Sequence, residues 1–315
     1  MKAKRLPLAL LTLLLALLTA GYVAGFRLDK YALKEEKDDY YIYASCYPVY
    51  AISSMIMRDT PGMHLIQLTQ PKEEGYTDHS LSDWESALLS NADALVLMGF
   101  GFEGFSSSLP SGKAVEITLL SMMELACLPE ECAVLDLGSD EIVSLGHGSP
   151  WFYMSPRNCM QLIEVMCGNM AYLDQEYAQG YYDNLEETTK VLEPIAERSE
   201  SIECLKGRRV AVAHDALLYT ASDLGAETCV YIGRKTTSEL SEEDVSKCID
   251  LLLSNDVHVL LIEEQAVISD PEAFEKAGIT VIRQQLMLDR TPAFSYSGLL
   301  EGLSANLDAI EKAFS

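Results

Sequence analysis

Five histidines carry the side chains best suited to chemistry near neutral pH, and their settings differ. His64 and His258 sit inside apolar, strand-like runs, where a hydrogen-bonded structural imidazole is expected. His79 lies in a polar loop. His147 occupies a Gly-His-Gly turn in LGHGSPWFYMSPRN (145–158), just before the aromatic triplet Trp151, Phe152 and Tyr153. Trp151 offers only a donor N–H and cannot bind a cation as a lone-pair ligand. The triplet as a whole suits the lining of an organic-ligand pocket or a dry protein interface. His214 closes an apolar run and opens a helical one, as a site residue or merely as a helix cap.

Other reactive patterns are weak. No G-x-S-x-G, H-E-x-x-H or Cys/His catalytic context occurs, so the sequence does not support an enzyme. GFGFEG (99–104) matches G-x-G-x-x-G after an apolar run. A Ser-rich loop follows it, not a helix that could hold a pyrophosphate. The 8 cysteines include no C-x-x-C pair, which argues against a zinc-thiolate site.

The elements that must position these residues follow from periodicity. Apolar runs at 40–44, 63–68 and 94–98 predict strands, with weaker candidates at 114–119 and 133–137. Helical spacing covers 49–57 and 83–90. Residues 156–195 keep a helical period throughout, as two helices or one long bent one. Alternation then resumes: strands at 209–213, 229–232, 257–262 and 279–282, and helices at 214–224, 241–254, 270–277 and 296–314. Strand–helix alternation on both sides of a helical stretch predicts an α/β protein of two lobes. Each lobe has a mostly parallel sheet flanked by helices, and a long connector helix joins them. The expected divisions are an N-terminal lobe at 40–157, a connector at 158–198 and a C-terminal lobe at 199–315.

The N-terminus points to export. Lys2, Lys4 and Arg5 precede an uncharged apolar run at 6–26, which serves as a signal peptide or as a single membrane anchor. A linker at 27–39 follows. No cysteine closely follows the run, so a lipid-modified N-terminus is not expected. The positive residues before it place the rest of the chain outside the cell. In that compartment Cys127 and Cys132, flanking a Leu-Pro-Glu-Glu turn, make the favoured disulfide. The chain carries 48 acids against 23 bases, a formal net charge of −25. That surface repels nucleic acid and anionic lipid. It favours a cationic ligand, or is simply a solvated acidic face.

Several segments, in order, resemble one family. Tyr47-Pro48 with Tyr50 is similar to F-Y-P-L-Y. LSDWESALLSNADALVLMGFGFE (81–103) is similar to P-S-D followed by A-D-L-V-x-x-N-G-x-G-L-E. MSPRN (154–158) is similar to L-D-P-x-N, and VAVAHDALLYTASDLG (210–225) to a strand followed by H-x-A-F-x-Y-x-A-x-x-Y-G. VHVLLIEEQAVIS (257–269) and SYSGLLEGLSANLDAI (295–310) are similar to the strand-then-acid segment and the last helix. From about residue 40 to the C-terminus, the chain resembles the zinc and manganese solute-binding proteins of bacterial ABC importers. The resemblance implies that three histidines and a carboxylate meet one divalent cation in the interlobe cleft, zinc more than manganese. It also implies delivery to an ABC permease by a monomer held outside the cell, secreted or anchored.

Matched residue by residue, the ligand set is partly altered. His214 falls on a family ligand. The first family histidine has no ungapped equivalent in EEGYTDHSLSD (73–83), where Gly75 holds its place. His79 either reaches the site through a shifted loop or stands outside it. Trp151 replaces the second family histidine, leaving His147 as a substitute from the adjacent turn. Glu263 and Glu264 follow a strand, whose alternation lets one of them into the cleft, and the match favours Glu264. Asp289 falls near the family's last carboxylate, in a shortened segment. The implied metal set is therefore His214, Glu264, His79, His147 and Asp289. The alternative is a degenerate member whose aromatic-lined cleft takes another ligand or a protein partner.

Overall fold

The structure is a computed structural model that describes residues 39–69, 76–109, 114–121, 123–138, 148–234, 238–288 and 296–315. The export run, the linker up to residue 38, His147 and Asp289 lie outside the described residues.

Two parallel sheets form the frame. In the first, β1 (Tyr40–Ala44), β2 (Met63–Gln67), β3 (Ala94–Leu97) and β4 (Val115–Thr118) lie in the order β2-β1-β3-β4. β3 is ALVL, buried at every position, as a strand covered on both faces must be. In the second, β5 (Ala133–Asp136), β6 (Arg209–Val212), β7 (Glu227–Gly233), β8 (Val259–Glu263) and β9 (Thr280–Gln284) lie in the order β5-β7-β6-β8-β9. All pairings are parallel, so every strand ends at the same edge of its sheet. β5 precedes the connector in sequence yet completes the second sheet, with Ala133 opposite Val230.

The helices follow from local chemistry. α1 (Tyr47–Met57) takes Pro48 in its first turn, where a missing N–H costs nothing, and is buried almost all round. α2 (Asp83–Leu89) begins with a capping box in which Ser82 and Glu85 satisfy each other's backbone N–H groups. The connector is two helices, α3 (Pro156–Leu173) and α4 (Ala178–Ser201), packed against each other. Ser155 caps α3 by accepting from the Asn158 N–H at 3.2 Å, and Pro156 opens it. Leu162, Ile163, Met166 and Met170 turn the apolar stripe of α3 into the core. α5 (Leu217–Asp223) follows β6. α6 (Glu242–Ser254) opens with the Ser241–Asp244 capping box anticipated from Ser-Glu-Glu-Asp. α7 (Pro271–Lys276) and α8 (Ser297–Ala313) complete the chain.

One apolar cluster runs through both lobes, from Ile42 and Val96 through the connector to Val212 and Leu261. Smaller clusters cover the outer faces of the two sheets. Each fully buried Leu or Ile in this core contributes about 1.5–3 kcal/mol, so the inner faces of the lobes are held together by packing as well as by the connector.

Candidate functional site between the lobes

The carboxyl ends of β6, β7 and β8 converge where ligands bind in parallel α/β sheets. Val212 of β6 lies opposite Tyr231 of β7 and Leu261 of β8. Continuing that register puts His214 level with Gly233 and Glu263. His214 is 12% exposed at its side chain. Its Nδ1 lies 3.1 Å from the Ala216 N–H nitrogen and 3.1 Å from an Asp215 carboxylate oxygen. One lone pair or one proton at Nδ1 serves one of these partners at a time. Donation to Asp215 leaves the Nε2 lone pair for a cation, the arrangement common among metal-bound histidines. Acceptance from Ala216 leaves Nε2 protonated. Burial pushes the imidazole below its ordinary pKa, with Asp215 pulling it back and the Arg234 cation lowering it further. The ring is thus neutral at neutral pH, as ligation requires. Burial raises the Asp215 carboxyl, while His214 and the Ser149 hydroxyl favour its charged form.

The acid that turns inward is Glu263. Leu261 and Glu263 share one face of β8 by strand alternation, and both are fully buried. Glu264 is exposed, and its carbonyl accepts from Arg283 at 2.8 Å. Glu263 is paired with Arg234, the residue immediately after β7, and both side chains are only 1% exposed. Burial pushes the Arg234 guanidinium down to about 10. A charged residue directly after an apolar strand was the sequence signal for Arg234, and it was missed.

On the other lobe, His79 is buried, and its Nε2 lies 3.0 Å from Glu85 Oε1 within the α2 capping box. Its ring meets Phe105 edge-on. Both of these ring contacts lie within its own lobe. His64 bonds Asp39 at 2.7 Å and His258 the Gly278 carbonyl at 3.3 Å, both in structural roles.

Aromatic rings fill the space between the lobes. Trp151, 3% exposed, packs edge-on against His214 at 4.8 Å and Phe102 at 5.0 Å between ring centroids. Phe102 also meets Tyr76 and Tyr153. Two phenols then cross to the second lobe: Tyr76 donates to the Leu288 carbonyl at 2.9 Å and Tyr153 to that of Leu286 at 2.8 Å. Among the described residues no group of three His, Cys, Asp or Glu side chains converges as a metal site.

The glycine motif proves structural. Gly99 and Gly101 take positive φ of 95° and 80°, turning the chain so that Glu103 faces back. Its buried carboxylate accepts from the Met98 N–H at 2.6 Å, the Gly99 N–H at 3.0 Å and the Ser45 hydroxyl at 2.6 Å. That occupies the cradle a phosphate would need. Cys127 and Cys132 are free thiols, the former exposed; Cys132 precedes Ala133 in the register that sets β5 against β7, beside Cys229.

Two parallel-sheet lobes joined by a helical connector are the fold of the two-lobed solute-binding proteins. The sequence profile of ZnuA, described as zinc-uptake complex component A, periplasmic, matches residues 42–313. The chain belongs to that family of metal-binding solute-binding proteins. Solved structures share the fold at low identity. The manganese complex of FpvC from Pseudomonas aeruginosa superposes with a TM-score of 0.69 at 17% identity, over 87% of this chain and 98% of that one. The Zn(II)-bound ZnuA-like domain of AdcA from Streptococcus pneumoniae gives 0.70 at 17%, over 87% and 98%. The metal-dependent lipoprotein YcdH of Bacillus subtilis gives 0.67 at 18%, over 87% and 98%. A sequence search of curated proteins finds no match. Among the described residues no helix is long and apolar enough to cross a membrane.

Proposed function

We propose that the protein is an extracytoplasmic receptor that captures a divalent cation, zinc ahead of manganese, in the interlobe cleft and hands it to an ABC permease. It acts as a monomer, secreted or held by its N-terminal segment, and catalyses no reaction. The observation that carries this reading is the neutral, nearly buried imidazole of His214 at the carboxyl edge of β6, with the Asp215 carboxylate 3.1 Å from its Nδ1. The family resemblance offers His147 and Asp289 as the further ligands, and the acidic surface draws cations toward the protein. Calorimetric titration of zinc and manganese into demetallated protein tests it. A dissociation constant below about 10 μM, near −7 kcal/mol, is expected, and weaker binding rejects the receptor role.

A second reading is favoured by the aromatic filling. The buried cluster of Trp151, Phe102, Tyr153 and Tyr76 occupies the interlobe space in place of an ion, which fits a degenerate member that takes an organic ligand or a protein partner instead. Under it, zinc fails to bind while the fold is retained.

A further inference from the structure

Arg234 directly follows β7 and Glu263 ends β8, the two strands on either side of β6, so their ion pair spans the carboxyl edge from which His214 emerges. The register places Glu263 level with His214, and Arg234 one residue beyond that level, just past the end of β7. The guanidinium also donates to the Ser238 carbonyl at 2.6 Å, which anchors it from the loop that follows β7. The carboxylate it holds is the inward-facing acid of β8. That carboxylate's second oxygen, Glu263 Oε2, is buried with no hydrogen-bond partner among the described residues. An unsatisfied buried carboxylate oxygen is costly, and it is the kind of atom that a hard or borderline cation binds.

We propose that Arg234 is a resident cation of the cleft, a specificity-determining residue that holds Glu263 and competes with the divalent ion for it. The inference rests on the receptor reading given above. Two positive charges cannot share one buried carboxylate and one imidazole at full strength, because each additional cation meets the field of the first in a poorly screened interior. Divalent-ion affinity is therefore set low by Arg234. Replacing the guanidinium with an uncharged side chain frees Glu263 to act as a ligand beside His214.

The test is competition for zinc against a chromophoric chelator, with folding followed by circular dichroism. Arg234→Met should bind zinc at least tenfold tighter than wild type. Arg234→Lys, which keeps the charge, should stay within about threefold of wild type. Glu263→Gln, which leaves the guanidinium without its carboxylate, should bind several-fold more weakly. The gain in Arg234→Met must disappear in Arg234→Met/His214→Ala. Zinc affinity in Arg234→Met equal to or below wild type overturns the proposal, as does a gain that survives loss of His214. Should Arg234→Met fail to fold, Glu263→Gln decides: affinity at or above wild type overturns it. If His214→Ala alone leaves wild-type zinc binding unchanged, the receptor reading fails at its own ligand, a result separable from failure of the Arg234 role.

Discussion

Trp151→His is the most informative change to this cleft, because it installs an imidazole where the family resemblance places one. The wild-type indole packs edge-on to His214 at 4.8 Å between centroids. Two nitrogens on a tetrahedral zinc with bonds of 2.0–2.1 Å stand about 3.3 Å apart, a separation that two rings at this spacing reach by small rotations. One added first-shell ligand is expected to tighten zinc binding by about tenfold to a hundredfold, or about 1.4–2.7 kcal/mol. The substitution also has a cost. Truncating a buried Trp to Ala loses about 3–5 kcal/mol. Histidine keeps roughly half the side chain, while the edge contacts to Phe102 and His214, worth about 0.5–1.5 kcal/mol each, are weakened. A stability loss of about 2–3 kcal/mol follows. Urea denaturation of the demetallated variant reads the loss, and chelator competition reads the gain. A folded Trp151→His variant with unchanged zinc affinity would refute the placement of the ion beside His214.

Four further outcomes follow from the geometry. Asp215→Asn removes the negative charge 3.1 Å from His214 Nδ1 that favours a cation at this edge, and should weaken zinc binding about tenfold while leaving the fold intact by circular dichroism. His147→Ala should weaken zinc binding at least about tenfold by calorimetry; an unchanged value removes it from the ligand set. Asp223, half-buried beside Ser155, has its carboxyl raised by desolvation from 3.8 to about 6. A raised acid favours the folded state while protonated, so its contribution is full below about pH 4 and lost as pH rises through 6. Asp223→Asn should therefore be more stable than wild type at pH 7 by about 1–2 kcal/mol, with the difference vanishing near pH 4, as urea unfolding at the two pH values will read. Tyr76→Phe deletes the phenol that reaches the Leu288 carbonyl. It should lower the unfolding free energy by about 1–2 kcal/mol, measured by thermal denaturation.

The architecture was readable because its signals are local and repetitive. ALVL after Asn-Ala-Asp fits a covered parallel strand, and Ser-Glu-Glu-Asp announces the start of α6 by capping chemistry. The break of the connector into α3 and α4 was left open by periodicity, since Asp174 and the short turn after it interrupt the chain without altering the apolar spacing. The place of β5 was hidden for a different reason: which sheet a short strand joins is a tertiary choice, and nothing in AVLD encodes it. The position of His214 at the carboxyl edge of β6 is legible because it follows an apolar strand. The choice between Glu263 and Glu264 turned on where β8 ends, and a one-residue difference there exchanges interior for solvent. His79 was drawn to Glu85 by a capping box in its own lobe, a contact that spacing toward Asp83 does not reveal. Arg234 escaped because a buried arginine is rare unless paired, and its partner lies two strands away.

X-ray absorption at the zinc edge, recorded on the one-to-one zinc complex of the full chain and of its His214→Ala variant, tests the central claim most directly. A cleft-bound ion predicts imidazole scattering with Zn–N distances near 2.0–2.1 Å, reduced by one ligand in the variant. A thiolate shell with Zn–S near 2.3 Å, or a spectrum identical in the two proteins, would contradict it.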